Sequence, residues 1–298
     1  MEKVSIILVN YNGKEYNDKC IESILRSTIS EYLQIVVVDN NSRDGSLELL
    51  RVNWGNNERV HIIALENNYG FSKANNVGIE WALERGYEYI LLLNNDTEIE
   101  AKAIERMIAL QKETKAVIVP KVLYADKPNK IWCAGGNFSR YIKKPKHIGL
   151  NEYDNTYYDN NYRCLFANGC CILLTNKIIK EIGMLDERFF LYYEDTEYSM
   201  RINKMGIEIW YCGSAVIYHK VNGSTNGNSN PSNVYYISRN WLMCNKIYMK
   251  NDFYLFLIYY VANRMCWGMI WLAQGKWKLV KAMIKGISDY KRGKTGKE

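Results

Sequence analysis

Two short polar clusters carry the residue types needed for chemistry on an anionic, oxygen-rich substrate. The first, Asn94-Asn95-Asp96-Thr97, ends the apolar run Tyr89–Leu93, which Glu88 precedes. Such a run reads as a strand buried on both faces, and the cluster after it needs solvent, metal or ligand. Asp96 there is a hard oxygen ligand suited to Mg²⁺ or Mn²⁺ carrying a diphosphate. The alternative is that Asp96 or Thr97 caps a helix over Glu100–Gln111. The second cluster, Glu194-Asp195-Thr196-Glu197, follows the aromatic stretch Phe189-Phe190-Leu191-Tyr192-Tyr193. Carboxylates behind an aromatic wall are partly shielded from water, which suits a sugar ring and can tune a general base. Acidic residues at a helix start also stabilise that helix by about 0.3–1 kcal/mol each, with no other role.

The elements that must position these clusters alternate between strand and helix. Strands are expected at Val4–Val9, Gln34–Val38, Val60–Leu65 and Tyr89–Leu93. Helices are expected over Glu15–Ser27, Ser46–Val52 and a segment capped by Ser72 and stopped by Gly86. This rhythm with short connections implies a parallel sheet with helices on both faces. All four strands end in Asn/Asp-rich loops, and parallel strands gather such loops along one sheet edge, where ligands bind. Neither a G-x-G-x-x-G nor a Walker-type phosphate loop is present, which weakens dinucleotide and P-loop readings. After Val117–Pro120 the periodicity fades, and residues 121–163 are expected to form loops and short strands. It returns with Ala167–Thr175, a helix at Asn176–Ile182, the acidic helix start, and two strands at Ile207–Cys212 and Ala215–His219.

Net charge is +7, but residues 274–298 alone hold eight Lys/Arg and two Asp/Glu. The body is therefore nearly neutral, which argues against a nucleic-acid surface. Eight scattered cysteines without a C-x-x-C pair fit a reducing cytoplasmic setting. No secretory leader is expected, because the chain enters a strand almost at once. Pro231–Lys250 reads as a helix. Phe253–Ala273 has the length to cross a bilayer, but Asn263 and Arg264 at its centre argue against a span. Trp277–Ile287 sets Trp277, Val280, Ile284 and Ile287 opposite Lys278, Lys281 and Lys285, an interfacial anchor pattern for an anionic membrane surface. The alternative is a helical pair packed on the body, or on a second copy in a homo-oligomer.

Several of these segments together resemble the family 2 glycosyltransferases, inverting enzymes of the GT-A fold: VSIILVNYNG, VVVDNNSRDGS, NNYGFSKANNVGI, LLLNNDTE, the stretch from Asn168 to Gly206, and YHKVNGST. Rhamnosyltransferase-like members are similar in pattern, including Arg239-Asn240-Trp241. The resemblance implies an α/β GT-A domain, with a nucleotide-sugar half at 1–120, an acceptor half at 121–228 and a helical extension at 229–298. It places Tyr11 and Asp39 at the base, with Asn10, Asn68, Gly70, Asn75 and Asn95 around the nucleotide. Asp96 would hold Mg²⁺ or Mn²⁺, with His219 as second ligand unless that histidine is merely hydrogen-bonded. Asp195, in the Glu194-Asp195 pair, would be the base. Gly169, Asp186, Tyr193 and Glu197 would line the acceptor side. Asn94 stands where the family's D-x-D motif has its first Asp, and Glu197 where a second Asp usually follows the acidic pair. The implied activity is sugar transfer from a UDP- or dTDP-sugar, such as dTDP-rhamnose, to a glycan or lipid-linked acceptor at the inner membrane face. A non-catalytic nucleotide-sugar binder or a sugar nucleotidyltransferase are the competing functions. The latter would want a Gly- and basic-rich phosphate loop, where only Asn10-Tyr11-Asn12-Gly13 stands.

Overall fold

Four apolar runs become adjacent parallel strands: β1 (Val4–Asn10), β2 (Leu33–Asp39), β3 (Val60–Ala64) and β4 (Tyr89–Asn94). In the computed structural model, which describes residues 3–220 and 230–298, β1 lies between β4 and β2, and β3 forms the edge. The crossover helices are α1 (Asn17–Leu25), α2 (Ser46–Trp54) and α3 (Phe71–Glu84). The in-register pairs Asn10↔Asp39 and Asp39↔Ala64 bring the polar loops to one edge.

Beyond Asn94 the chain departs from the expected helix. Thr97–Ile99 is a short strand, β5, and the next helix, α4, spans Ala103–Thr114 with Lys102 at its N-cap. Asp96 and Thr97 therefore do not cap it. Strand β6 runs through Val117–Tyr124 and pairs antiparallel with β7 (Lys127–Ala134), so residues 121–163 are more regular than their composition implies. A hairpin of β8 (Gly136–Phe138) and β9 (Pro145–His147) follows, then β10 (Tyr162–Cys164). Strand β11 (Cys171–Thr175) inserts antiparallel between β4 and β6, and α5 (Asn176–Ile182) follows it. Because β11 runs against β4, its start lies at the functional end of the sheet. Helix α6 spans Glu194–Lys204. The two strands expected near the end of this region are one, β12 (Ile209–His219), with a register shift between Cys212 and Val216.

Ser72 does not cap α3: Gly70 holds that position, and the Ser72 hydroxyl donates to the Phe189 carbonyl. Buried side chains cover both faces of the sheet, with Leu8, Leu91 and Leu173 on one and Ile7, Leu92 and Leu174 on the other. Seven of the eight cysteines are buried and unpaired, whereas Cys266 is exposed despite its apolar surroundings in the sequence.

The C-terminal layer comprises α7 (Pro231–Tyr248), α8 (Phe253–Ala273) and α9 (Trp277–Lys291). Helix α9 buries Leu279, Met283 and Gly286, while of the stripe expected to face a membrane Trp277 and Ile284 are exposed and Val280 and Ile287 are half-buried against the helical layer. A Cβ at Gly286 would lie 2.5 Å from the Tyr235 carbonyl, so the helices cross where only glycine fits. Helix α8 buries Phe256 and Tyr260 and leaves Leu255, Ile258, Met265, Met269 and Leu272 outward. By length and composition alone it suffices to cross a membrane. Of YHKVNGST, the part Val221–Thr225 lies outside the described residues, as does the expected boundary at 228.

Candidate functional site

The polar edge is built on an asparagine hub. Asn10, at the end of β1, is fully buried, and its amide nitrogen lies 2.6 Å from Asp39 Oδ2 and 2.9 Å from the Ser46 hydroxyl. Its Oδ1 accepts from Gly13 N–H and from the amides of Asn17 and Asn95. Three strand ends are thereby tied together through side-chain hydrogen bonds, the arrangement buried polar groups require. Asp39, expected to touch a base directly, has no exposed surface, and its Oδ1 accepts from Ser42 N–H. Tyr11 beside it is 45% exposed.

The third loop docks on the aromatic stretch. Asn68 Oδ1 accepts from the Asn40 amide and from Gly70 N–H, and Asn75 donates to the Phe71 carbonyl. Gly70 has φ +88° and abuts Phe190, so a side chain there meets both backbone strain and the Phe190 ring. Phe71 N–H donates to the Phe190 carbonyl, and Asn76 bonds the backbone of Leu185. Helix α3 and the acidic loop are thus joined by backbone and side-chain hydrogen bonds.

Asp96 and His219 meet because β5 pairs antiparallel with the end of β12, His219 opposite Thr97. Their side chains are nearly buried, with His219 Nε2 3.2 Å from Asp96 Oδ1. That contact lacks hydrogen-bond geometry: Asp96 Oδ1 and His219 Nδ1 have no hydrogen-bond partner among the described residues. A carboxylate oxygen and an imidazole facing each other in this way are a donor set for a hard or borderline divalent cation. No cluster of three or more His, Cys, Asp or Glu able to hold a metal exists among the described residues, so a cation here would need further oxygens from its ligand.

Glu194 and Asp195 occupy the first turn of α6 without capping it. Asp195 Oδ2 accepts from Gly169 N–H at 3.2 Å, and Oδ1 from the Thr196 hydroxyl at 3.1 Å. Glu194 Oε2 is buried with no hydrogen-bond partner among the described residues. Burial raises the pKa of both carboxyls, and that of Glu194 is pushed up to about 8 by burial and by the Asp195 charge. Since hydrogen bonds to the charged form favour it, the shared proton belongs on Glu194 and the negative charge on Asp195. Gly169 precedes Cys170, whose carbonyl accepts from Asn94 N–H, so the acidic pair and the Asp96 loop adjoin across β4 and β11.

Two other expected acceptor-side carboxylates are already paired. Glu197 binds Arg201 through both oxygens and accepts from the Tyr248 hydroxyl at 2.6 Å. Asp186 forms a bidentate pair with Arg188. Asn240, noted above only as part of Arg239-Asn240-Trp241, supports the acidic loop. Its amide donates to the carbonyls of Leu191 and Tyr192, while Trp241 stacks on Tyr193. Tyr192 and Tyr193 both hold positive φ, 65° and 73°, just before the acidic pair.

The fold is that of the GT-A glycosyltransferases. The crystal structure of GalNAc-T7 with UDP, GalNAc and Mn²⁺ matches with a TM-score of 0.62 at 18% identity, covering 80% of this chain and 48% of that one. Residues 1–349 of S. aureus TarS match with a TM-score of 0.53 at 18% identity, over 81% and 65%. The chain belongs to glycosyl transferase family 2, whose model matches residues 5–183. It is 31% identical over 216 residues to the low-salt glycan biosynthesis hexosyltransferase Agl10 of Haloferax volcanii, covering 71% of this chain and 65% of that protein. It is 26% identical over 219 residues to the dTDP-rhamnosyl transferase RfbF of Shigella flexneri, covering 72% and 68%. The match thus takes in about two thirds of each relative's length.

Proposed function

We propose that the chain transfers a sugar, with inversion, from a UDP- or dTDP-linked donor, dTDP-rhamnose among them, to a hydroxyl of a glycan or lipid-linked glycan. The observation that carries this reading is the buried acidic pair, with Asp195 fixed by two hydrogen bonds, on the sheet edge that also holds the Asp96–His219 pair. Asp195 accepts the acceptor hydroxyl's proton during attack, with Gly169 N–H and Thr196 holding its carboxylate. A protonated Glu194 leaves a single negative charge there. Asp96 and His219 would hold Mg²⁺ or Mn²⁺, which would supply counter-charge to the diphosphate leaving group. Glu197 and Asp186, already paired, shape the acceptor side from behind. Tyr11 offers its ring to the base, and Asp39 orders the turn beneath it; direct contact with the base requires the Asn40–Arg43 turn to open.

The test is a panel of UDP- and dTDP-sugars with Mg²⁺ or Mn²⁺, read by thermal shift and by release of nucleoside diphosphate. A cognate donor at a hundred times its Kd stabilises by about 2.7 kcal/mol. Metal-dependent release from at least one donor is expected; no shift and no release across the panel would defeat the reading. Asp39→Ala should weaken UDP or dTDP binding about tenfold or more in calorimetry, since charge-assisted hydrogen bonds are worth about 1.5–3 kcal/mol. Unchanged affinity would remove Asp39 from the site. Asn240→Leu strands two carbonyls at about 1–3 kcal/mol each and should lower turnover about tenfold while sparing nucleotide affinity.

For the C-terminal layer, the proposal is attachment to the cytoplasmic face of an anionic membrane. Support comes from the outward apolar stripe of α8 and a groove of about 510 Å³ between that helix and residues 139–146, with Leu255 and Tyr259 beside Arg140 and Lys146. An apolar face bordered by cations matches an anionic lipid surface. Because α9 is packed into the body, the test alters the face without deleting helices. Leu255→Glu with Ile258→Glu and Met265→Glu should abolish co-sedimentation with phosphatidylglycerol vesicles at low salt and leave donor hydrolysis intact. Sedimentation at the wild-type level would sink the idea.

A further inference from the structure

His147, on the β9 hairpin strand, takes no part in the site as the sequence presents it, yet it is one of only three histidines in the chain. It is half-buried, with Nδ1 3.2 Å from the Trp132 carbonyl and Nε2 3.2 Å from the Asn168 amide nitrogen. The tautomer follows from the partners. Asn168 Oδ1 accepts from Cys170 N–H at 2.9 Å, so the amide presents its N–H to the histidine. Nε2 must then carry the lone pair, and the proton sits on Nδ1, aimed at a carbonyl that can only accept. Burial keeps the ring neutral by lowering its pKa, offset in part by the bond to the Trp132 carbonyl. Phe166 stacks on the ring from one side, and the Trp132 indole packs edge-on against both His147 and His219.

We infer that His147 is a positioning residue for Asp195, acting through the Asn168–Gly169 turn. The link is continuous: His147 fixes the Asn168 amide, Asn168 fixes the turn through Cys170 N–H, and Gly169 N–H in that turn holds Asp195 Oδ2. Asp195 lies in the first turn of a helix whose preceding backbone is left-handed, so it lacks the restraint of a preceding regular turn. A base displaced by about 1 Å loses about a hundredfold in rate, which gives this second tether its value. The inference rests on Asp195 as the base.

Its test has a spectroscopic and a kinetic arm. Imidazole ¹⁵N NMR of the full chain should show one of the three histidines as the neutral Nδ1–H tautomer, and Asn168→Ala should shift its Nε2 signal. The Nε2–H form at His147 would overturn the inference. His147→Phe keeps ring packing and loses both bonds; His147→Gln can restore an acceptor to Asn168. With the sugar-nucleotide panel and water as acceptor, His147→Phe and Asn168→Ala should each lower turnover about tenfold or more, with UDP and dTDP affinity within about twofold. His147→Gln should recover to within about threefold. The double variant should be no worse than Asn168→Ala alone, because His147 acts on Asp195 only through Asn168. Wild-type turnover in His147→Phe, or multiplicative losses in the double variant, would refute the assignment. If His147→Phe fails to fold, Asn168→Ala and the tautomer measurement still decide. An inactive Asp195→Asn beside a fully active His147→Phe removes this inference alone, whereas an active Asp195→Asn removes the base assignment itself.

Discussion

Asp195→Asn should lower sugar transfer by about 10²–10⁴-fold, the usual worth of a general base, and leave donor affinity nearly unchanged. Asparagine keeps the size of the side chain and can still accept from Gly169 N–H, but it cannot take a proton. Glu194→Gln is the informative control, because Glu194 is already protonated near neutrality and the amide mimics that state. Its activity at pH 7 should survive. The same pair gives a stability signature. A carboxyl with pKa 4.5 unfolded and about 8 folded binds its proton more tightly in the native state. Its contribution is complete below the lower value and declines as pH rises through the upper one. Glu194→Gln should flatten that decline in a series of denaturation curves. If Asp195→Asn turns over normally while Glu194→Gln is dead, the base lies one residue earlier.

Asp96→Asn should weaken donor binding in Mg²⁺ or Mn²⁺ about a hundredfold, roughly 2.7 kcal/mol, and should not change binding in EDTA. The two halves separate loss of the cation from loss of the fold. Among the described residues Asp96 Oδ1 has no hydrogen-bond partner to lose, so the apo melting temperature should hold or rise. A drop in apo stability with unchanged metal dependence would make Asp96 a structural residue. His219→Ala should show a smaller effect of the same kind, since it removes a neutral ligand and not a charge.

What the residues disclosed depended on how local the determinant was. β1 to β4, their polar ends, α5 and the extent of α8 follow from apolar runs and breakers within a few residues, and all were legible. β7 was not, because Lys127, Pro128 and Asn129 face solvent and its apolar half is only four residues long. Ser72 looks like a cap, but Phe189, 117 residues on, claims its hydroxyl and leaves the position to Gly70. Glu197 reads as a free acidic residue until Tyr248 arrives from α7, 51 residues away. Asp39 lies in a recognisable loop, yet its complete burial depends on Asn10 from another strand. His147 stands in a stretch without periodicity, and its partners come from β7 and the turn before β11. In the tail, the Trp277–Ile284 pattern is a real apolar stripe. Its Val280 and Ile287 pack on the helical layer, and Trp277 and Ile284 point outward.

The consecutive left-handed tyrosines before the acidic pair have an energetic consequence for the α7–α9 layer. Each holds a backbone state that costs an L-residue about 1–2 kcal/mol, and the groups that enforce it, Asn240 and Trp241, belong to α7. If that helix lifts away, the loop relaxes and Asp195 swings off its target, although the sheet beneath is intact. The catalytically competent fraction is then governed by a sub-global opening whose free energy lies below that of the whole domain. Heat or denaturant would silence such an enzyme before it unfolds, and a ligand or surface that presses α7–α9 inward would widen its working range.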